Sequence, residues 1–261
     1  MVFASGIRVA RRSSRRSLQL ALGLLLGTGT LLLASRLESA SSAQRLAGVI
    51  YAKGSSRTTP LYRWEADLDN PSGRWRSRYR TPTGELALED EVLWDGTEVR
   101  RYSYVRHNTA ESSSVEHVGK KLIYTRAFGG YEGEHAEEDF QPNFLVGPTV
   151  LPYVQRHWAE LMKGDELRIR YGVLDRLQSY GFELNLERGR RSTIKDAVVI
   201  RMRATSLFVR MAVDPVYLVW SPDGQILYEM SGRMMPIVKD SSGAHSVDGD
   251  LVLSPQRLLP P

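Results

Sequence analysis

The densest cluster of side chains that could bind a metal lies in EGEHAEED, residues 132–139. It places His135 among five carboxylates, a set of nitrogen and oxygen ligands that suits a divalent cation. A metal-dependent hydrolase would use His135 with Glu132, Glu134 or Asp139. The alternative is a solvated acidic edge or loop, which is what runs of like charge more often form. We predict no bound metal and no cofactor.

The rest of the sequence lacks the motifs of the common catalytic sites. It contains no cysteine, which excludes disulfides, thiolate metal sites and cysteine nucleophiles. The stretch His157-Trp158-Ala159-Glu160 lacks the second histidine of a helical zinc motif, and there is no G-x-S-x-G. We therefore predict a non-enzymatic protein.

An arginine at every second position characterises RWRSRYR, residues 74–80. Such a row could be an anion-binding stripe or the solvent-facing side of a β-strand. Hairpin loops at residues 70–73 and 82–85 would place acidic residues of both flanking strands opposite these arginines. The predicted sets are Asp67–Arg76–Glu91 and Glu65–Arg78–Glu89, with Arg63 opposite Arg80 as a like-charge pair. We interpret the row as a mutually paired outer face.

The other face of the same strands is aromatic and apolar, with Asp90 as a polar exception. In the predicted register Trp75 faces Leu68 and Val92, and Tyr79 faces Trp64 and Leu88. A curved sheet with this face only partly covered would bind a hydrophobic ligand, whereas a covered face would be a core rich in large rings. The predicted ligand-binding residues are Trp64, Trp75, Tyr79, Leu88, Val92, Trp94 and, from a helix, Trp158.

Alternation of apolar and polar residues dominates the chain after Ala43 and predicts short antiparallel strands separated by turns such as NPSG, PTGE, WDGT and SPDG. One amphipathic helix is predicted at residues 149–162, with Thr149 as its N-cap and Gly164 at its end. Residues 206–213 fit either a short helix or a strand. The predicted fold is mainly β with one or two helices (α+β), a curved antiparallel meander sheet or half-barrel packed on a helix.

Residues 1–43 have the pattern of an export signal peptide, because RRSSRRS precedes an apolar run at residues 20–34 and a small-residue cleavage site. An uncleaved N-terminal anchor is the alternative, and Sec and twin-arginine export are both open. The leader holds the whole net charge of +5, so residues 44–261 are neutral. We expect a periplasmic protein that binds no nucleic acid and touches the membrane only through this segment. Residues 44–240 would form a single β-rich domain, and residues 241–261 a terminal loop, short strand and tail.

The order of these features resembles a family of uncharacterised bacterial periplasmic proteins known by a domain-of-unknown-function label. The resemblance rests on the leader, the long β-meander, VGPTVLPYVQRHWAELMKGDEL, further strands and DPVYLVWSPDGQIL. It covers roughly residues 44–235 and implies the architecture of lipoprotein-carrier half-barrels, in which a curved sheet wraps helices over a hydrophobic cavity. It favours binding of a lipid, acyl chain or other hydrophobic ligand on the concave aromatic face. The alternatives are a cell-envelope assembly protein that binds another protein, and the metal-dependent hydrolase.

Overall fold

The computed structural model describes residues 44–69, 72–129, 131, 133–190, 192–240, 243–256 and 258. The predicted export signal at residues 1–43 lies outside the described residues. Strands make up most of the described chain, and their bounds are β1 (Gln44–Ala52), β2 (Tyr62–Asp69), β3 (Arg74–Arg80), β4 (Leu86–Asp95), β5 (Glu98–Arg106), β6 (Glu111–Val118), β7 (Lys121–Phe128), β8 (Glu134–Asp139), β9 (Phe144–Leu145), β10 (Leu167–Val173), β11 (Gln178–Leu186), β12 (Val198–Ala204), β13 (Val216–Trp220), β14 (Leu227–Asp240) and β15 (Gly243–Leu253). The helices are α1 (Val150–Arg156), α2 (Trp158–Lys163) and α3 (Leu207–Ala212), with 3-10 turns at Gly147–Thr149 and Leu174–Arg176.

These strands form one sheet in the order β8-β7-β6-β5-β4-β3-β2-β1-β15-β14-β13-β12-β11-β10-β9. Neighbouring strands are antiparallel, except that β9 runs parallel to β10. The fold is therefore the mainly β, α+β meander that the alternation predicts. The short strand predicted within residues 241–261, however, is a long one. Most of the length of these residues is the 11-residue strand β15, which pairs with both β1 and β14 at the centre of the sheet.

The register of β2, β3 and β4 confirms the pairing that was predicted from the hairpin loops. Trp75 lies opposite Leu68 and Val92, as predicted. The outer sets Asp67–Arg76–Glu91 and Glu65–Arg78–Glu89 are both present, and Arg63 does face Arg80. The salt bridges run partly along diagonals, since Arg78 contacts Asp67 at 3.4 Å while Glu89 contacts His107 at 3.3 Å. The arginine row is thus the paired outer side of a strand.

The sheet curves until its two edge regions approach each other, but its edges β8 and β9 are not hydrogen-bonded to one another. Side chains bridge the gap. Across it, the backbone N–H of Ser179 in β11 donates to Glu138 Oε2 in β8 at 3.2 Å, while Tyr124 of the neighbouring strand β7 holds Glu138 by donating to its Oε1 at 2.6 Å. The Leu174–Arg176 turn packs on β6 and β7. The curved sheet therefore encloses an interior, and the inner faces of its strands line this interior.

The predicted helix at residues 149–162 is broken into α1 and α2 at His157, whose φ of −100° and ψ of 19° leave the helical range. Thr149 makes no side-chain cap; its hydroxyl bonds to the backbone of Val146 instead. Gly164 ends α2 in the left-handed conformation, as predicted. The break leaves Trp158 beside β13, with its ring centroid 6.0 Å from that of Trp220. A helical period does not reveal such a break, because the apolar spacing continues through it.

The helices mark the two ends of the strands. We call the end beside the loops that hold α1 and α2 the α1 end, and the end with the β12–β13 connection that holds α3 the α3 end. Buried side chains of α1 and α2, among them Val154 and Leu161, join one hydrophobic cluster with the inner faces of the strands. Within the described residues, which all belong to one compact unit (residues 40–261), no helix is long and apolar enough to cross a membrane.

Candidate functional site

The seven predicted ligand-binding residues lie on inner or end surfaces of the sheet, but not as one open face. Four of them, Trp64, Trp75, Leu88 and Val92, are buried in the interior, and Trp64 packs beside Trp75 at a centroid distance of 6.5 Å. Tyr79, Trp94 and Trp158 are half-buried and pack against the same core. Trp158 donates to the carbonyl of Pro222 at 3.3 Å, so it lies with the β13–β14 turn.

The aromatic side chains of the interior are packed together in the described part of the chain. A cavity of about 20 Å³ lies between Trp94 and α1, where Pro152 and Tyr153 line it; this is room for about one water molecule. A larger depression of about 360 Å³ is lined by residues 76–78, 89–91 and 103–105, and charged side chains such as Arg76 and Glu91 make it polar. Neither space suits an acyl chain. Of the two alternatives left open by the sequence, this conformation shows the packed core.

Asp90 is the unusual residue of the inner face. Its side chain is 4 % exposed, and in the ladder it lies between Ser77 of β3 and Tyr104 of β5. Oδ1 has no hydrogen-bond partner among the described residues. Burial raises the pKa of Asp90 to about 7, although hydrogen bonding with Ser77 and Tyr79 opposes the rise. Burying a carboxylate without full compensation is costly, so this residue weakens the core for a reason other than packing.

A second buried polar cluster surrounds Arg106 of β5, whose side chain reaches across the interior to the turn between β10 and β11. Arg106 is 3 % exposed and contacts the equally buried Glu111 at 2.9 Å and both oxygens of Asp175 at 3.0 Å. Tyr104 donates to Asp175, and Arg126 donates to Glu111 at 2.8 Å. The cluster therefore joins β5, β6 and β7 to the far side of the gap.

The charges of this cluster control one another. Burial favours the neutral carboxyl of Asp175, but the hydrogen bonds and the positive charge of Arg106 outweigh burial and lower the pKa of Asp175. Burial likewise disfavours charged Arg106, and its bonds with Asp175 and Glu111 more than compensate, so its pKa is raised. Both groups are therefore charged at neutral pH, and they form an ion pair across the gap of the sheet.

The acidic stretch at residues 132–139 forms the edge strand β8, apart from Glu132, which lies outside the described residues. Glu134 lies 3.8 Å from Arg126, and Asp139 lies 3.0 Å from Lys121, both on the neighbouring strand. No group of three or more metal-ligating side chains occurs in the described ranges. These carboxylates are thus arranged as partners for the basic residues of β7.

The feature that the sequence pattern did not identify is an apolar surface on α3. Leu207, Phe208 and Met211 are 67 %, 80 % and 72 % exposed, whereas Arg210 turns back and donates to the carbonyl of Ala204 at 2.6 Å. Apolar residues at positions i, i+1 and i+4 were the available signal, but the pattern could not show which face of so short a helix would be covered. We call these three residues the α3 tip.

A second exposed apolar group lies at the same end of the strands. Phe128 and Tyr131 belong to the β7–β8 turn and are both exposed. Phe128 pairs with Glu111 in the ladder, and the cluster of Arg106 links Glu111 to the β10–β11 turn. The β10–β11 turn precedes β11. Near that end of β11, the backbone N–H of Thr205, just before α3, donates to the carbonyl of Gly181. The α3 end therefore carries two separate apolar projections.

Comparisons with known proteins show a remote structural likeness. Neither protein-family models nor curated proteins match this sequence. A solved structure that is similar to the chain is a beta-barrel-like protein of domain of unknown function DUF1849 from Brucella abortus. The two share 7 % sequence identity, and the match covers 81 % of this chain and 97 % of that chain with a TM-score of 0.39.

Proposed function

We propose that this protein is an exported, non-enzymatic lipid-binding protein of the periplasm, and that it docks on a lipid bilayer with the α3 tip. The observation that carries the proposal is the exposure of Leu207, Phe208 and Met211, each more than two-thirds exposed on one short helix. Isolated apolar side chains on a surface are common, but three on one projecting turn favour an interaction site. The sequence alone predicts membrane contact only through the leader, and the α3 tip would be a second contact.

A bilayer fits this surface better than a protein partner does. A stable protein interface buries about 800 Å² on each side, which is more than three side chains on a six-residue helix supply. A flat apolar layer, by contrast, can accept the α3 tip and the β7–β8 turn together although they are separate. Burial of each large side chain would contribute about 2 kcal/mol. Among the described residues, the exposed large apolar side chains of α3 are too few for an interface of that size, so an envelope protein as partner is the second candidate.

The contact is expected to be hydrophobic and not electrostatic. Residues 44–261 have equal numbers of acidic and basic side chains, and Arg210 is directed away from the tip toward Ala204 and Glu183. Binding to anionic lipid through basic residues would depend strongly on salt. Binding through the α3 tip should be similar for zwitterionic and anionic vesicles and should change little with salt.

Co-sedimentation of residues 44–261 with phosphatidylcholine vesicles tests the proposal. This part of the chain holds every strand and every core residue described above, so it retains the fold without the leader. We expect Phe208→Ser to weaken binding about tenfold or more, because the Phe ring would no longer enter the hydrocarbon. The matched control is Val118→Ser, an exposed apolar residue at the α1 end, which should bind like the parent.

Two results would contradict the proposal. One is vesicle binding by the Phe208→Ser protein that equals the parent's. The other is binding that appears only with anionic vesicles at low salt, which would assign the contact to basic residues. A stoichiometric protein partner that is lost with Phe208→Ser, without vesicle binding by the parent, would favour the envelope-assembly alternative.

A further inference from the structure

The β14–β15 hairpin extends beyond both of its neighbours in the sheet. The ladder between β1 and β15 ends at the pair Ala52 and Gly249, and the ladder between β13 and β14 ends at Tyr217 and Ser231. Past these points, residues 233–240 and 243–248 form ladder pairs only with each other within the described chain, and at the base of the arm the carbonyl of Asp248 accepts from the backbone N–H of Lys53 at 3.0 Å. The outer part of this hairpin is therefore a two-stranded arm that continues from the sheet at Gly232 and Gly249.

Two glycines face each other where the arm begins. Gly232 and Gly249 are directly paired, and the next residues of β14 form a bulge between Arg233 and Ile237. A side chain at Gly249 would lie 2.9 Å from both Met234 Cγ and the carbonyl oxygen of Tyr51, so only glycine fits this close approach. A paired set of residues without side chains, followed by a bulge, gives both strands a bend at the same place.

The arm folds across the α3 end of the interior and is held there through its backbone carbonyls. Ile237 accepts from the Tyr62 hydroxyl at 2.9 Å and from Asn108 Nδ2 at 2.6 Å. The carbonyl of Met235 accepts from Arg106 Nε at 3.2 Å. The donors come from β2, β5 and the β5–β6 turn, which are not neighbours of β14 in the sheet. Beyond Asp248, the arm is thus fastened to the rest of the sheet by side chains, whereas adjacent strands of the sheet are fastened by continuous ladders.

The underside of the arm covers the aromatic interior. Met234 is buried in the same hydrophobic core as Trp64 and Trp75, and Met235 and Val238 pack against that core. Pro236 and Val247 of the arm are buried as well. Methionine is flexible and repacks more readily than branched side chains. Neither space described above suits an acyl chain, so a lipid would reach the aromatic face only if a covering element moved.

We propose that residues 233–240 and 243–248 form a flap that swings about Gly232 and Gly249 and admits an acyl chain to the aromatic interior. This inference rests on the proposed function, because the α3 tip brings the flap to lipid. Gly232 packs against Val216, the first residue of β13, and three residues connect α3 to that strand. Docking of the α3 tip on a bilayer would therefore take place close to the hinge at Gly232 and Gly249.

Peroxide oxidation of methionine, mapped residue by residue by mass spectrometry, tests the flap and the lipid contact separately. Met234 on the inner side of the flap and Met202 in β12 are both 5 % exposed, and Met211 on the α3 tip is 72 % exposed. If the flap opens, Met234 of residues 44–261 will be oxidised about tenfold faster than Met202. Phosphatidylcholine vesicles should accelerate Met234 further and protect Met211.

The double variant Tyr62→Phe with Asn108→Ala removes both side-chain bonds to Ile237 and should increase oxidation of Met234 about tenfold while that of Met202 stays unchanged. Equal rates at Met234 and Met202 in the parent and in the double variant would overturn the flap. Acceleration at Met202 as well would show general loosening and would also overturn it. Lack of protection at Met211 by vesicles would contradict the proposed function alone, whatever the rate at Met234.

Discussion

Replacement of Arg106 with methionine is expected to destabilise the protein by about 3–5 kcal/mol, the range found when one partner of a buried ion pair is removed. Methionine retains much of the volume of the arginine stem, so the loss comes mainly from the charge. It would leave the buried Glu111 with Arg126 as its remaining charged partner, and Asp175 without the two bonds that Arg106 donates. The contact of this cluster across the gap of the sheet would be weakened, because only the bonds of Asp175 with Tyr104 and Arg126 would remain there.

Equilibrium unfolding in urea measures this effect, and Arg101→Met is the matched control. Arg101 lies on the same strand and forms an ion pair with Glu116 at 3.4 Å, but its side chain is about half exposed. Exposed pairs contribute less than about 1 kcal/mol, so this variant should unfold close to the parent. Similar midpoints for the two variants would show that the buried cluster does not close the sheet.

The same cluster predicts sensitivity to acid. The pKa of Asp175 is lower in the folded protein than in the unfolded chain. Its contribution to stability is therefore present above the unfolded pKa and is lost as the pH falls through the folded pKa. The Arg106→Met protein should lose less stability than the parent over that acidic range, because its Asp175 no longer has this charge partner.

Replacement of Asp90 with asparagine is expected to stabilise the protein at neutral and alkaline pH. The folded pKa of about 7 lies above the ordinary value of 3.8, so the folded state holds a proton that the unfolded chain releases between these values. The stability contribution of Asp90 is complete below pH 3.8 and declines as the pH rises to about 7. The decline is on the order of 4 kcal/mol, since each pH unit is worth about 1.4 kcal/mol.

Urea unfolding of the Asp90→Asn protein across this pH range measures the difference. The variant should match the parent near pH 4 and exceed it by several kcal/mol near pH 8. Glu89→Gln, a neighbour on the half-exposed outer face of the same strand, should show no comparable gain. A parent that is more stable than Asp90→Asn at pH 8 would mean that the charged carboxylate has a stabilising partner in the folded protein.

The local part of the fold could be predicted from the sequence, because the alternation of side chains between the two faces of a strand is a local property. RWRSRYR and its two flanking strands have the predicted register, and Asp90 stood out as the polar residue of an apolar face. The alternation fixed which side chains point inward once the hairpin turns were placed. It did not show whether the inward face is open or filled, since a binding surface and a core use the same large rings.

The long-range part could not be predicted for a physical reason. The apolar alternation of β15 does not identify β1 and β14 as its neighbours, so a central strand looked like a tail. The spacing of apolar residues continues through His157, so the break that moves Trp158 to Trp220 leaves no trace in the period. The exposure of Leu207, Phe208 and Met211 depends on what fails to pack against α3, which only the assembled sheet determines.

The central position of β15 also sets the order in which the molecule can be completed. During synthesis β1 emerges early and β15 last among the described strands, yet β15 joins β1 to β14. Until it arrives, the chain holds two separate meanders, β1 to β8 and β10 to β14, each with an unpaired edge. Such distant pairing is slow, and exposed edges invite association with other chains. In a nascent chain of this protein, the edges of β1 and β14 therefore stay unpaired until the final strand is available.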